Sequence, residues 1–576
     1  MLHALARAAR ETPTCAITLL GDDERDPIET SSYGDLARRV WDLAGRLQAR
    51  GIAKDERVLV VLPTGLAFVE TFLALQLIGA VPVPAYPPPA LQQAEVALER
   101  LRHIVANAEI RVCLTDQTLN PLMKALAGIG RASVSQVLTV DQLPAAGAPR
   151  PDLGQVAFYQ YTSGSTGRPK GVIVTHAALI ANVRACGEAS QVSRDDVMVS
   201  WLPLYHDMGL VGGLLWPIFW QIPLVLMSPM AFLRQPERWL RAISDYRGTL
   251  TMAPNFAYAR CLKRIPASLR EGLDLSSWRL ALNGAEPVSA ATVSAFREAF
   301  EPHGLRPHVM YPCYGLAESV VGVTFSEPGA PLSTERLSRQ ALAEGRVERS
   351  NHQDALEVCA VGQALPGHRV AIVDEEGREV PERTIGEITV QGPSLMAGYH
   401  DNERATRAAL RGGRLNTGDL GFMDQGRLYV TGRQKDLIIV RGKNVHAEDV
   451  EVVAEQVESV RKGRVVAFGC YDEARAMDRV VVEGVQDDEE TQAALSEAIK
   501  ARVCEVMGLS VAEVVFAPSG TIPKTYSGKR QRQLTKKRYL AGTLAQRSRL
   551  AYGRILAQAA FGFFVCLGAS LFGSTS

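Results

Sequence analysis

Short β-rich runs alternate with helical patterns along most of this chain, and this alternation constrains the fold more than any other feature. The run RVLVVL (57–62) precedes the helical pattern GLAFVETFLALQLIGA (65–80), and GVIVT (171–175) precedes HAALIANVRAC (176–186). The alternation extends from residue 33 to about residue 435. Strands interleaved with helices predict parallel sheets covered by helices. We therefore expect a large α/β body of layered sheets with several subdomains.

The pattern changes near residue 435, where a second set of elements begins. The predicted order is strand, helix, strand, strand, helix and strand, over 436–440, 447–457, 464–469, 479–484, 491–507 and 513–518. This β-α-β-β-α-β order predicts a small, independent α+β domain. We therefore divide the chain into an N-terminal body (1–433), a mobile C-terminal domain (434–545) and a hydrophobic tail (546–576).

Two apolar stretches raise the question of a membrane span. The stretch 209–227 is interrupted by Pro217 and Pro223, so we predict a buried helix followed by a buried strand. The stretch 555–573 has Gln558 as its only strongly polar side chain and is long enough to cross a bilayer. Its cationic upstream flank consists of Lys536, Lys537, Arg538, Arg547, Arg549 and Arg554. The tail is therefore a candidate membrane anchor on the cytoplasmic face, and a helix docked on the body or on a partner is the alternative.

Composition argues against several classes of protein. The 576-residue chain has a formal net charge of +1, whereas proteins that bind nucleic acid usually carry a clearly basic domain. The nine cysteines include no CxxC pair, which argues against a disulfide framework or a structural zinc site. The first residues, MLHALARAARETPT, lack the features of a signal peptide and predict a short amphipathic helix with Leu2 and Leu5 on one face. We therefore expect a cytoplasmic protein without a nucleic-acid partner.

The turn YTSGSTGRPKGV (161–172) combines glycines, hydroxyl residues and one lysine between two β-rich runs. Glycines let the backbone approach a ligand closely, and hydroxyls and exposed amides can donate to phosphate oxygens. Lys170 adds a compact positive charge, which a flexible linker does not need. We therefore predict a phosphate-binding turn, with a spacing that differs from the G-x-x-x-x-G-K-[ST] pattern of P-loop NTPases. The residues expected to contact a nucleotide here are Thr162, Ser163, Gly164, Ser165, Thr166, Gly167 and Lys170.

As a whole, this turn resembles the signature loop of the adenylate-forming superfamily. That superfamily includes acyl-CoA synthetases, luciferases, nonribosomal peptide adenylation domains and fatty acyl-AMP ligases. Further motifs that resemble those of the superfamily follow in the same order, namely NGAEPV (283–288), YGLAES (314–319), NTGDLG (416–421), GRQKDLIIVRGKN (432–444) and IPKTYSGKRQR (522–532). The resemblance covers roughly residues 10–545 and implies the two-domain fold of that superfamily.

The resemblance implies that the protein is a ligase, in which a fatty-acid carboxylate attacks the α-phosphate of ATP. The products are an acyl-adenylate and pyrophosphate. Both reactants are anions, so cations and positioning would dominate catalysis. ATP and Mg²⁺ are the implied cofactors, with Glu318 near the metal and Lys529 at the α-phosphate, and His206 of LPLYHDMGL (202–210) is a third candidate catalytic residue. Because Lys529 lies in the small domain, closure about a hinge at Lys435 would complete the site.

The same resemblance implies which residues hold the nucleoside. Asp419 and Arg433 would contact the ribose hydroxyls, and Tyr314 would stack on the adenine. The other residues expected to bind the nucleotide are Gly284, Ala285, Glu286, Gly315, Leu316 and Ala317.

Each functional residue also has a structural interpretation. Asp419 could cap a turn, and Glu318 could form a surface ion pair. Lys529 lies in the basic stretch 524–538, where a solvated helix face is the usual outcome, and His206 could be a core histidine. The order and mutual spacing of the motifs favour the functional interpretation.

Several segments resemble the fatty acyl-AMP ligases in particular. They include GAVPVPAYPPP (79–89), WLPLYHDMGLVGG (201–213), CYGLAES (313–319) and GPSLMAGY (392–399), and a polar segment (330–358) stands where those ligases carry an insertion. The segment NVHAED (444–449) departs from their pattern, which bears on the second half-reaction. The implied acceptor is the phosphopantetheine thiol of a holo acyl carrier protein, or of a polyketide or nonribosomal peptide carrier domain.

Other functions remain as alternatives. A fatty acyl-CoA synthetase would pass the same adenylate to CoA. A non-catalytic, membrane-associated scaffold would be expected to lack Lys529 or Glu318, and both are present. The apolar stretch 209–227 would suit the wall of an alkyl-chain tunnel or a plain core.

Overall fold

A computed structural model gives the fold of the chain. It describes residues 1–22, 27–86, 94–128, 134–162, 169–352, 355–440, 443–461, 463–472, 475–483, 489–507, 509, 511–524 and 530–544. The tail that the sequence predicts as a membrane anchor, 555–573, therefore lies outside the described residues.

The described helices run through both halves of the chain. They are α1 (Leu2–Glu11), α2 (Tyr33–Ala49), α3 (Leu66–Leu77), α4 (Ala94–Asn107), α5 (Asn120–Gly128), α6 (His176–Ala189), α7 (Trp216–Trp220), α8 (Pro229–Arg234), α9 (Glu237–Asp245), α10 (Asn255–Arg264), α11 (Ala267–Arg270), α12 (Ala290–Phe300), α13 (Arg339–Ala343), α14 (Glu403–Ala409), α15 (Ala447–Ala454), α16 (Glu489–Met507) and α17 (Arg532–Leu540). Their first turns are capped by hydroxyl residues in several cases, as where the Thr175 side chain accepts a hydrogen bond from the backbone N–H of Ala178.

The described strands are shorter and more numerous. They are β1 (Ala16–Leu20), β2 (Pro27–Ser32), β3 (Arg57–Val61), β4 (Val81–Pro84), β5 (Val112–Thr115), β6 (Gln136–Thr139), β7 (Val156–Thr162), β8 (Lys170–Thr175), β9 (Met198–Ser200), β10 (Leu224–Leu226), β11 (Leu250–Ala253), β12 (Leu280–Asn283), β13 (Met310–Tyr314), β14 (Thr324–Phe325), β15 (Thr334–Leu337), β16 (Leu356–Cys359), β17 (Gln363–Ala364), β18 (Arg369–Val373), β19 (Gly386–Gln391), β20 (Gly398–Tyr399), β21 (Leu410–Arg411), β22 (Arg414–Asp424), β23 (Arg427–Arg433), β24 (Leu437–Val440), β25 (Lys443–His446), β26 (Val465–Asp472), β27 (Arg475–Glu483) and β28 (Val511–Ala517).

The body is built on two sheets with parallel centres, as the alternating pattern predicts. One has nine strands in the order β17-β14-β13-β12-β11-β9-β10-β1-β2, and its six central strands, β13 to β1, are mutually parallel. The other has four parallel strands in the order β4-β3-β5-β6. A small antiparallel sheet, β20-β8-β7, contains the hairpin that brackets the predicted phosphate-binding turn.

The prolines of PVPAYPPPA (82–90) exclude a helix interior and a central strand and therefore predict a rigid loop, but the structure differs in part. The first residues of this stretch belong to the strand β4, whose sole partner among the described strands is β3. Proline lacks the N–H that a central strand needs, but an edge strand can leave that position unpaired. The composition therefore excluded a central strand and did not exclude an edge strand.

The apolar stretch 209–227 is buried in the body, as predicted. A π-helical segment (Met208–Leu215) continues into α7 and then into β10, and the residues of the π-helical segment are all buried. The predicted N-terminal helix is α1, which buries Leu2 and Leu5. Within the described ranges, no helix combines the length and apolar character that crossing a membrane requires.

The part of the body from β15 to β23 departs from the predicted alternation of helices and strands. It contains an antiparallel sheet in which β18, β19, β22 and β21 are neighbours and β23 also pairs with β22. The polar segment 330–358 forms the β15–β16 pair and α13, with a small apolar cluster that includes Leu337, Leu342 and Val358. Antiparallel strands need only short turns between them, so helices are few here.

The small C-terminal unit has its own apolar core, formed mainly by α15, α16 and the strands beside them. The predicted strands and helices are present, and β26, β27 and β28 form one sheet. The sequence-based order missed β25, which pairs with β24 as an antiparallel hairpin. Arg339 of the polar segment contacts this unit, with its Nη1 3.0 Å from Asp449 Oδ1.

A buried ion pair links three strands of the main sheet. Arg279, just before β12, donates to Asp196 Oδ1 and Oδ2 through Nε and Nη2, at 2.7 and 2.6 Å, and Thr249 Oγ1 donates to the same carboxylate at 2.7 Å. The Asp196 side chain is only 3% exposed. Burial alone would raise its pKa, but the hydrogen bonds and the charge of Arg279 hold the pKa below its ordinary value.

This lowered pKa predicts a specific loss of stability in acid. The ionised Asp196 stabilises the fold fully above the unfolded-state pKa of about 3.9, and this contribution is lost as the pH falls through the lower folded-state pKa. We expect the difference in unfolding free energy between the wild type and Asp196→Asn to be constant at pH 5–7 and to shrink below about pH 4. Urea unfolding at each pH measures it, and a difference that stays constant down to the acid limit would contradict the assignment.

Candidate active site

The predicted motifs meet at one edge of the nine-stranded sheet. Strands β9, β12 and β13 are parallel, so the residues that follow them emerge on the same side. NGAEPV begins at the last residue of β12, YGLAES at the last residue of β13, and His206 follows β9. Ligands of open α/β sheets bind at this carboxyl edge, which makes it the candidate active site.

Asp419 joins two of the residues predicted to hold the nucleoside. Its Oδ2 accepts a hydrogen bond of 2.7 Å from the Tyr314 hydroxyl, and its Oδ1 lies 2.7 Å from Arg433 Nε. A register shift in the pairing of β22 with β19 and a φ of 73° at Gly418 turn the backbone just before Asp419, a conformation that favours glycine. The carboxylate is buried, and it joins the Tyr314 hydroxyl to the Arg433 guanidinium at the site.

Glu318 lies in a short 3₁₀ turn (Ala317–Ser319), which Gly315 and Leu316 separate from the end of β13. Its Oε1 accepts a hydrogen bond of 2.7 Å from the hydroxyl of Tyr399, and the Tyr399 ring centroid lies 4.5 Å from Lys170 Nζ. The predicted metal-binding carboxylate and the predicted phosphate-binding lysine therefore contact the same tyrosine. Sequence reasoning assigned no role to Tyr399, which occurs in GPSLMAGY.

The electrostatic environment of the site follows from these contacts. Burial raises the pKa of the Glu318 carboxyl, and the hydrogen bond from Tyr399 opposes that shift. Burial lowers the pKa of Lys170, and the positive charge of Lys435 lowers it further, while Glu318 acts in the opposite direction. The predicted hinge residue, Lys435, is thus close enough to Lys170 for their charges to interact. An anionic ligand would relieve this repulsion.

Two glycines of the motifs allow the backbone to pack closely beside the site. A Cβ on Gly315 would lie 1.7 Å from the carbonyl oxygen of Val321, and one on Gly284 would lie 2.7 Å from that of Cys313. Ala285 adopts a φ of 66°, which is uncommon for a residue with a side chain. Leu316 is extended and half-buried, and Ala317 is buried. These residues shape the wall of the candidate nucleotide site.

Glu286 and His206 have contacts that bear on their predicted roles. The Glu286 carboxylate accepts from the backbone N–H of Phe256 at the start of α10, so it is engaged with the protein framework. His206 Nδ1 lies 2.6 Å from Asp207 Oδ1, and the histidine side chain is 34% exposed, more than expected for a core residue. The charge of Asp207 also raises the pKa of Glu318, so the residue after His206 lies near that carboxylate.

Two predicted elements of the site fall outside the described residues. They are the centre of the phosphate-binding turn, with Ser163, Gly164, Ser165, Thr166 and Gly167, and the candidate catalytic Lys529. The ends of the turn are described, since Thr162 and Lys170 are cross-strand partners that close the β7–β8 hairpin. The strands predicted on both sides of the turn are therefore confirmed.

The residues that are present fit a magnesium–nucleotide ligand. In the described part of the chain, no three His, Cys, Asp or Glu side chains form a metal-binding group. Mg²⁺ is often held by one or two carboxylates together with substrate phosphates, so a single carboxylate such as Glu318 suits it, near a lysine that is predicted to bind phosphate. The donor set is therefore appropriate for Mg²⁺ delivered with ATP.

Known proteins resemble this chain over nearly its full length. The model of the AMP-binding enzyme family matches residues 5–400. JamA, a medium-chain-fatty-acid–[acyl-carrier-protein] ligase of Moorena producens, is 36% identical over 556 residues, which cover 92% of this chain and 93% of that protein. A 4-hydroxyphenylalkanoate adenylyltransferase of Mycobacterium marinum is 35% identical, with 93% and 90% of the two chains covered.

A solved structure agrees with these relatives. A fatty acyl-adenylate ligase, from work on the E. coli and L. pneumophila proteins, superposes with a TM-score of 0.86 at 34% identity and covers 94% of this chain and 97% of that one. The fold is that of an adenylate-forming ligase, and the chain belongs to the AMP-binding enzyme family. Within that class, the predicted resemblance to the fatty acyl-AMP ligases is confirmed.

Proposed function

We propose that the protein activates a fatty acid with ATP, forming an acyl-adenylate and releasing pyrophosphate. The observation that carries this proposal is the convergence of Lys170, Glu318 and the Asp419–Arg433 pair at the carboxyl edge of the main sheet. A magnesium–nucleotide ligand needs a cation for its phosphates, a carboxylate for its metal and polar groups for its ribose, all within the length of one nucleotide. Relatives that are named as fatty-acid ligases supply the substrate class.

The chain's own residues bind and orient the reactants in this proposal. Lys170 and the hydroxyls of the 163–167 turn hold the terminal phosphates, and Asp419 and Arg433 hold the ribose. Glu318 holds Mg²⁺, which when bound supplies neutralisation of the polyphosphate charge. Lys529 provides the positive charge between the fatty-acid carboxylate and the α-phosphate, where negative charge concentrates during attack.

The proposal includes two domains that move about Lys435. This residue lies in a 3₁₀ turn (Gln434–Asp436) between β23, which contributes Arg433, and β24 of the C-terminal unit. That unit has a separate apolar core, which supports the proposal that it moves as a distinct domain. We place the boundaries at 1–433 and 434–545, with the tail at 546–576.

The proposed acceptor is the phosphopantetheine thiol of a holo acyl carrier protein. JamA of Moorena producens and TtuA of Teredinibacter turnerae are named as fatty-acid–[acyl-carrier-protein] ligases, and a solved neighbour is an adenylation domain joined to a peptidyl carrier domain. CoA is the competing acceptor, as in an acyl-CoA synthetase.

A two-stage assay tests the function. In the first stage, the protein receives ATP, Mg²⁺ and fatty acids of graded length, and pyrophosphate release is measured; no release with any fatty acid would reject the proposal. In the second stage, holo carrier protein or CoA is added to preformed acyl-adenylate. Faster acyl transfer to the carrier is expected, and transfer to CoA at an equal rate would assign the protein to the synthetases.

The tail supports a separate proposal about location. We place the catalytic domains in the cytoplasm and expect the apolar stretch 555–573 to bring them to a membrane. Fractionation of cells that express the full chain or a chain ending at residue 549 measures this. Equal recovery of both in the soluble fraction would reject membrane anchoring.

A further inference from the structure

Tyr399 has a backbone that is fixed on both sides. It ends β20, where it pairs with Val172 of β8, and the N–H of the next residue, His400, donates to the Gly171 carbonyl at 2.8 Å. The N–H of Tyr399 itself donates to Thr406 Oγ1 of α14 at 2.9 Å. The position of this residue relative to the phosphate-binding hairpin is therefore set by hydrogen bonds rather than by its side chain.

The Tyr399 side chain contacts two charged groups of opposite sign. Its hydroxyl donates to Glu318 Oε1 at 2.7 Å, and its ring faces the Lys170 ammonium, 4.5 Å from the ring centroid. The residue is only 9% exposed, so water competes weakly for either contact. A phenylalanine would keep the contact with Lys170 and lose the contact with Glu318.

The segment before Tyr399 holds the backbone of the Glu318 turn. The Met396 N–H donates to the Glu318 carbonyl at 2.9 Å, and Ser394 Oγ lies 3.2 Å from Ser319 Oγ. These contacts position the turn but leave the Glu318 carboxylate free to rotate about its last torsion, which has a broad energy profile. The Tyr399 hydroxyl is the group of this segment that restrains the carboxylate itself.

We propose that Tyr399 is a positioning residue that sets the affinity for the magnesium–triphosphate group. Its hydroxyl holds the Glu318 carboxylate in one orientation, and its ring holds the Lys170 ammonium beside it. This inference rests on the proposed use of ATP. The hydroxyl and the ring of Tyr399 have different roles in this inference, and a different substitution tests each role.

Replacement of Tyr399 by phenylalanine removes only the hydroxyl. We measure equilibrium binding of a non-hydrolysable ATP analogue, in Mg²⁺ and in excess EDTA. The variant is expected to bind about ten-fold more weakly than wild type in Mg²⁺, since a hydrogen bond to a charged group is lost, and to match wild type in EDTA. Equal weakening under both conditions, or wild-type binding under both, would overturn the proposal.

Tyr399→Leu removes the ring as well, and it should weaken binding about five-fold in EDTA because Lys170 loses its cation–π partner. Wild-type binding of this variant in EDTA would overturn the task assigned to the ring. The matched control is Tyr33→Phe, which also removes a buried hydroxyl. That hydroxyl donates a hydrogen bond of 2.7 Å to the Ile222 carbonyl, far from the site. It should bind the analogue as wild type does, and thermal unfolding without ligand checks that all three variants are folded.

The outcomes also separate this inference from the proposed function. The analogue contains no acyl group, so its binding does not depend on the fatty-acid substrate. A wild-type protein that binds the magnesium–analogue complex but activates no fatty acid would reject the proposed function alone. Active protein in which Tyr399→Phe leaves the magnesium dependence of binding unchanged would reject this inference alone.

Discussion

Replacement of Lys529 by alanine is expected to slow acyl-adenylate formation by about 10²–10³-fold, the usual cost of removing one group that stabilises charge in a transition state. The ammonium would otherwise lie where a carboxylate and a phosphate approach each other. Pyrophosphate release measures the rate. Transfer of preformed acyl-adenylate to the carrier should be much less affected, because the thiol then attacks the acyl carbon and not the charged α-phosphate.

A second lysine in the same basic stretch provides the control. Lys537, on the exposed face of α17, should tolerate alanine with adenylation unchanged. Lys537→Ala should unfold within about 0.5 kcal/mol of the wild type, as is usual for surface substitutions, and urea unfolding checks that both variants are folded. Unimpaired pyrophosphate release by Lys529→Ala would remove this lysine from the mechanism.

Replacement of Glu451 by alanine is expected to destabilise the C-terminal unit by about 3 kcal/mol, because Arg530 and Arg532 lose their fully buried partner and keep only carboxylates that are partly exposed to water. Glu451 is fully buried in α15, where its carboxylate accepts from Arg532 Nε at 2.6 Å and Nη2 at 2.8 Å. Arg530 Nη2 lies 2.9 Å away, and the Ala467 N–H donates at 3.1 Å. The same carboxylate thus ties α15 to β26 and to the residues that follow Lys529.

Hydrogen exchange of the amides in 447–454 and 465–472 measures the loss within this unit. Glu448→Ala is the matched control, because Glu448 also pairs with Arg532, at 3.0 Å, but its side chain is 32% exposed. Partly solvated pairs contribute about 1 kcal/mol or less, so its exchange rates should change little. Similar exchange in the two variants would show that burial of Glu451 does not govern the stability of this unit.

The order of the motifs made much of the candidate site predictable. Parallel strands place the residues after β9, β12 and β13 at one sheet edge, so a sequence that repeats a strand followed by a polar motif already implies a shared site. Asp419 and Arg433 were predicted to contact one sugar, and in the structure they contact each other.

Other features could not be read from the sequence because they depend on long-range pairing. Tyr399 reaches Glu318 across 81 residues, and no local pattern indicates that contact. The edge strand β4 and the hairpin strand β25 were missed, since composition alone does not tell whether an extended segment finds a neighbour. The antiparallel part of the body was missed because the alternation of strands and helices was extrapolated too far along the chain.

Arg433 stands at the end of a strand, two residues before the proposed pivot at Lys435. Its guanidinium pairs with the buried carboxylate of Asp419 in the N-terminal body. This ion pair restrains the chain immediately before the point where rotation would start. A ribose bound to the same two side chains would restrain this segment further, and release of AMP would remove that restraint. The ease of rotation about Lys435 would then depend on whether the nucleotide is bound, and no additional residue would be needed to detect it.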